Sequence, residues 1–109
     1  MDFSDTQKTA DLLKALGEFN RLSLVYELCE THHPQKAMCL CKCCKVDASV
    51  VSRHLKTLLS EGIVGVHKNG RERAYYLNRT LLADTLRAFA DRVEGQTELN
   101  PSFKEAQNG

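Results

Sequence analysis

The chain has 109 residues, 42% of them apolar and 27% charged, a balance that fits one ordinary folded domain and excludes a two-domain enzyme, a fibre and a chain too polar to fold. No apolar run approaches the roughly 18 residues of a membrane span. Met1 leads into Asp2 and Asp5, not into a basic, apolar leader, so a soluble, unexported, cytoplasmic protein with no membrane partner is expected. Net charge is only +1 but unevenly spread: from Lys36 to Arg79 nine bases face three acids, while the other 65 residues carry six bases and eleven acids. A basic middle between acidic ends is the footprint of a face that binds a polyanion.

Ser4 and Gln7 have the spacing of a capping box, and Ala10, Leu13 and Leu16 then recur at helical spacing, which predicts a first helix from about residue 5 to Leu16. Gly17 interrupts it. Leu22, Val25 and Cys29 mark one face of a second helix that must stop before His33-Pro34. Cys29 is expected to pack on that face. A short third helix covers Gln35 to Lys45. Asp47 is placed to cap a fourth, from Ala48 to Glu61, and Gly62 to end it.

On the fourth helix Val51, Leu55, Leu58 and Leu59 form an apolar stripe, and Ser49, Ser52, Arg53 and Lys56 form the opposite one. Two strand-like runs, Ile63–His67 and Arg73–Leu77, flank a loop containing Asn69-Gly70, a hairpin signal whose tip carries Lys68, Arg71 and Arg73. Leu82, Leu86, Phe89 and Val93 share one face of a last helix from Arg79 to Val93. Residues 5–94 form the predicted domain, and 95–109 a polar, disordered tail.

The order α-α-α-α-β-β-α, mainly helical with one small hairpin, is that of a winged helix-turn-helix, in which the second helix of the pair enters the major groove of double-stranded DNA. Arg53 is suited to fork onto guanine, Ser49 and Ser52 to bond bases or phosphates, and Lys56, Lys68, Arg71 and Arg73 to meet phosphates. His54 turns toward the apolar stripe and reads as a packed or phosphate-facing residue, not a base reader.

Leu13-Lys-Ala-Leu-Gly17 with Arg21-Leu22, Val51-Ser-Arg-His-Leu-Lys56 with Leu58, Glu61-Gly-Ile-Val64, and Gly70-Arg71 before Tyr75-Tyr-Leu77 together resemble the ArsR/SmtB metalloregulatory repressors over about residues 8 to 93. The resemblance implies a homodimer, joined through its first and last helices, that represses a promoter at an imperfect inverted repeat until an inducer binds. Phe19 stands where the family usually has Pro. Family members that sense zinc on the last helix carry an Asp-x-His pair there. Here Asp84 is followed by Thr85 and Leu86, and no His follows His67, so that site is absent. Cys39-Leu-Cys41 is similar to the Cys-x-Cys of arsenite, cadmium and lead sensors, though nearer the fourth helix. Cys43-Cys44 resembles a paired-Cys variant that includes thiol-redox regulators.

The residues point the same way by their chemistry. Four of the five cysteines, Cys39, Cys41, Cys43 and Cys44, fall within six residues, and soft thiolates select arsenic(III) or soft metal ions. Such an ion would be an inducer; no obligatory cofactor is implied. Oxidation of the same thiols is the alternative trigger. The spacing is not that of a zinc knuckle, although a Cys3His zinc recruiting Cys29 with His32 or His33 stays open. By helical geometry Ala37, Leu40, Cys41 and Cys44 share the packing side, and Cys39 and Cys43 the exposed side near Lys42. A small thiol oxidoreductase or metal carrier is the rival class, but the chain lacks the Cys-x-x-Cys that opens a helix after a strand.

Overall fold

The computed structural model describes the backbone of residues 3–44 and 46–95 and the side chains of 4–42 and 46–95. Five helices and one hairpin follow in order: α1 (Phe3–Leu16), α2 (Phe19–Cys29), α3 (Ala37–Cys44), α4 (Ala48–Ser60), β1 (Val64–Asn69), β2 (Glu72–Leu77) and α5 (Arg79–Glu94). The expected element order holds. The tail from residue 96 lies outside the described residues.

One core joins all seven elements: Leu12 and Ala15 from α1, Leu24, Val25 and Leu28 from α2, Leu40 from α3, Val51, Leu55 and Leu58 from α4, then Ile63, Val64, Tyr75 and Leu82. The inward face of α1 is therefore centred on Leu12 and Ala15; Leu13 and Leu16 are half-buried and Ala10 is exposed, a rotation from the sequence expectation. Ser4 likewise lies inside the first turn, one residue after the helix begins, and the Gln7 amide donates to Asp11, four residues on. At α2, Leu24 and Leu28 take the deepest positions, while Cys29 is partly buried against the core as expected.

Both ends of α4 are fixed by local chemistry. Asp47 accepts the Val50 N–H at 3.2 Å, leaving the first turn capped. At the other end Ile63 N–H reaches back to the Leu58 carbonyl and Gly62 N–H to that of Leu59, each at 3.0 Å, a Schellman ending that requires the positive φ of Gly62 (75°). Leu58 and Ile63 are both fully buried, so the turn that ends α4 also seals the core. Leu59, expected on the buried stripe, is 36% exposed because it falls on the edge of that face.

The hairpin pairs Val64 with Leu77 through to Asn69 with Glu72, so the two-residue loop is Gly70-Arg71 and Asn69 belongs to the strand. Gly70 takes φ 65°, as the first loop position of a primed turn demands. Gln35, expected in α3, instead exchanges both backbone hydrogen bonds with Tyr75 at 2.8 Å each, an isolated bridge on the outer edge of β2. Asn78 closes the base of the hairpin: its amide donates to the Gly62 carbonyl at 2.6 Å and its N–H to that of Ile63 at 3.0 Å.

Candidate nucleic-acid interface and thiol helix

α3 and α4 form the helix-turn-helix, α3 packing against both α2 and α4. With Val51, Leu55 and Leu58 buried, the opposite side of α4 presents Ser52, Arg53 and Lys56 to solvent. Ser49 is exposed too, but its hydroxyl donates to Asp47 Oδ1 at 2.9 Å, so it offers outward lone pairs in place of a free proton. That hydroxyl is the chief reason the Asp47 carboxyl sits below its ordinary range, followed by the Val50 N–H and the charge of Arg53.

His54 faces inward, as its position predicts. It is mostly buried, and its Nδ1 lies 3.7 Å from Glu18 Oε2 in the turn between α1 and α2. Glu18 caps α2 by accepting the Arg21 N–H at 3.0 Å. Burial works to raise the Glu18 pKa, but N–H groups of Asn20 and Arg21 and the charges of His54 and Arg21 outweigh it and hold the carboxyl below its ordinary value. With Glu18 as cap, α2 starts at Phe19 without the proline that the family resemblance leads one to expect; Phe19 itself is 80% exposed.

The hairpin extends the cationic surface. Lys68, Arg71 and Arg73 are all exposed and form no ion pair among the described residues. Two cations of the basic middle have structural duties instead. Arg79 donates from Nη2 to the carbonyls of Leu28, Cys29 and Thr31 at 2.9 to 3.1 Å, closing the end of α2. Lys36 pairs with Glu72 at 3.0 Å. Neither duty is visible in sequence, because the partners are 36 or more residues away.

On α3, Leu40 is buried, Cys41 is half-buried with its thiol donating to the Ala37 carbonyl at 3.3 Å, and Cys39 and Lys42 are exposed. The predicted division of the helix holds for these residues. The side chains of Cys43 and Cys44 lie outside the described residues, although both positions are helical. Among the described side chains no three His, Cys, Asp or Glu converge on a metal-sized site. His32 and His33 are exposed, and the ion pair of Asp84 among the described residues is with Arg87, at 3.7 Å on the surface.

α5 leaves the body almost at once. Leu82 is its single buried residue among those described, whereas Leu81, Leu86, Phe89 and Val93 are 37 to 71% exposed. A groove of about 1000 Å³ runs between α1 and α5, with Leu13, Leu81, Phe89 and Val93 in its lining. The last-helix stripe read from sequence is real, but beyond Leu82 no described residue of the chain buries it. No described helix is long and apolar enough to cross a membrane.

A helix-turn-helix with a cationic outer face, followed by a cationic hairpin, defines a DNA-binding module of the winged helix-turn-helix class. The model of the arsR family of bacterial regulatory proteins matches residues 20–66. The cadmium resistance transcriptional regulatory proteins CadC of Listeria innocua and of Lactococcus lactis are each 30% identical over 104 residues, which span 93% of this chain and 75% of the relative. A solved structure described as a possible transcriptional regulator for arsenical resistance is 32% identical, with a TM-score of 0.66 over 87% of this chain and 95% of the other. An ArsR-like regulator from Rhodococcus sp. RHA1 superposes with a TM-score of 0.72 at 24% identity, covering 94% and 92% of the two chains. The chain belongs to the ArsR family: it is a DNA-binding transcriptional regulator and not an enzyme.

Proposed function

We propose that this regulator is a homodimeric repressor that leaves its operator when a thiophilic inducer, arsenite or another soft metal ion, engages the cysteines of α3. The observation that carries the reading is the placement of an exposed thiol, Cys39, on the first helix of the helix-turn-helix, with Cys41 on its packed side. Relatives named for cadmium and arsenical resistance support the choice of inducer class. α4 is the recognition helix, with Ser49, Ser52, Arg53 and Lys56 toward DNA and His54 at its inner edge; Lys68, Arg71 and Arg73 form the wing contact. A second copy covers the apolar residues of α5 and the groove beside α1.

The donor set fits a soft ion in kind, since thiolates are what such ions select. Residues two apart on a helix point nearly opposite ways, so Cys39 and Cys41 do not converge while α3 is regular. Binding both therefore requires α3 to distort, and α3 is the element that holds α4.

The test is a titration of operator DNA with reduced protein, repeated with arsenite, cadmium and peroxide. The reading expects release at near-stoichiometric arsenite or cadmium. Release by peroxide alone would make oxidation the trigger, and a complex indifferent to all three would make the protein a constitutive DNA binder.

A further inference from the structure

We infer that Lys36 is a positioning residue for the wing, acting through Glu72 and not by touching DNA. Glu72 is the one acid between Val64 and Leu77, and it sits at the tip between Arg71 and Arg73. A carboxylate there opposes the approach of phosphate. Lys36 Nζ lies 3.0 Å from Glu72 Oε1, which neutralises the acid and ties the tip to the body across 36 residues of sequence.

The tie is anchored on the thiol helix. The Lys36 carbonyl accepts the N–H groups of Cys39 at 2.9 Å and Leu40 at 3.2 Å, so Lys36 begins the first turn of α3. Its neighbour Gln35 is paired through both backbone groups with Tyr75 on β2. Residues 35 and 36 thus join the turn carrying Cys39 to the wing by two independent links. A rearrangement of that turn moves the wing along with α4.

Both side chains are more than half exposed, 54% and 61%, so the ion pair contributes little to folding and its removal should leave the thermal midpoint unchanged. Its effect belongs in DNA affinity. Lys36→Gln leaves Glu72 uncompensated at the wing tip, next to Arg71 and Arg73, and operator affinity should fall about three- to fivefold.

The inference rests on the reading that the wing meets DNA, and the experiment separates the two. Operator affinity and its salt slope are measured for the parent, Lys36→Gln, Glu72→Gln, the double variant and Arg71→Ala. Loss in Lys36→Gln that vanishes in the Glu72→Gln background, with the salt slope kept, supports action through Glu72. If Lys36→Gln is as harmful without Glu72 as with it, or lowers the slope by about one unit, Lys36 is itself a phosphate contact and the inference is overturned. No effect of Lys36→Gln on affinity also overturns it. An Arg71→Ala variant unchanged in affinity and slope removes the wing from DNA altogether, and the underlying reading fails with it.

Discussion

Lys68 on β1 and Arg73 on β2 stand directly opposite each other near the tip of the hairpin, both exposed. They lie on the same face as Val64, Val66, Tyr75 and Leu77, so one face of the sheet runs from core-packed to cationic as it leaves the body. Like charges placed directly opposite disfavour strand pairing. A phosphate lying against that face would offset the repulsion, which gives the pair a purpose that folding alone does not.

The consequence is a trade-off between stability and binding. Lys68→Thr should stabilise the free protein by about 0.2 to 1 kcal/mol, by relieving the repulsion and adding a better strand former. The same change should weaken operator and scrambled DNA alike and reduce the salt slope by about one unit. Thermal melts and salt-dependent titrations read the two effects separately. A variant more stable and equally tight on DNA would show that the hairpin points away from the duplex.

Arg53 is proposed to make the opposite kind of contact, to a base edge. Exposed on the outer side of α4, it is the one long planar donor among Ser49, Ser52, Arg53 and Lys56. If it forks onto a guanine, Arg53→Ala should cost about 1 to 3 kcal/mol at a single operator position and relax base preference there. Binding to a panel of single-base operator variants checks this; equal losses on every member of the panel would make Arg53 a phosphate contact.

Two caps should make the protein acid-sensitive. Asp47 at the start of α4 and Glu18 at the start of α2 both have carboxyls held below their ordinary values of 3.8 and 4.5. A carboxylate whose pKa is depressed by folding lends stability that is complete above its unfolded pKa and is lost as pH falls through the folded one. Urea midpoints should therefore be flat above about pH 5 and decline below it. Asp47→Asn keeps a capping oxygen and should be less sensitive to acid than the parent. An acid limb of unchanged steepness in both Asp47→Asn and Glu18→Gln would place the sensitivity elsewhere.

Asp84, the last-helix carboxylate, has no histidine partner, and its contact with Arg87 is long and exposed. A lone surface carboxylate is a poor zinc ligand. Asp84→Ala should leave the inducer dose for operator release unchanged. A rightward shift in that dose, with the oligomeric state intact, would return α5 to the sensing mechanism.

What the sequence reveals follows the range of each interaction. The limits of α4 are legible because Asp47 and Gly62 act within a few residues of where they sit, and its two stripes follow from helical spacing. The hairpin is legible from Asn69-Gly70 between two strand-like runs, but its two-residue loop is not, because the register that puts Asn69 opposite Glu72 is set by the whole ladder. Gln35 reads as helix because nothing near it announces Tyr75, 40 residues on, as its partner. Asn78 and Arg79 escape notice for the same reason: one closes the wing against Gly62 and the other closes α2. On α5 the apolar stripe is legible and its exposure is not, since periodicity marks a face that wants cover without saying which chain supplies it.

The switch is the sharpest test of the proposed function. Cys39 is exposed in the first turn of α3, and its N–H is bonded to the Lys36 carbonyl at 2.9 Å. Cys43 follows one helical turn later. Residues four apart are close enough in Cα distance for a bridge, but a regular helix gives their side chains poor disulfide torsions, and an ion drawing in Cys41 must reach a thiol now turned to the core. Either event is favourable only if α3 distorts. Moving the population from 1:99 to 99:1 in favour of that form requires about 5.5 kcal/mol of differential binding, a sum several metal–thiolate bonds are able to supply. Cys39→Ser and Cys43→Ser should each abolish inducer release while leaving basal operator affinity intact. Cys29→Ser should do neither, because Cys29 sits at the end of α2, partly buried against the core, where Arg79 holds its carbonyl. Operator titrations with and without arsenite compare the three variants. If both α3 variants still release DNA at the parent's inducer dose, the sensor is not on α3; if Cys29→Ser alone fails to respond, it lies at the end of α2.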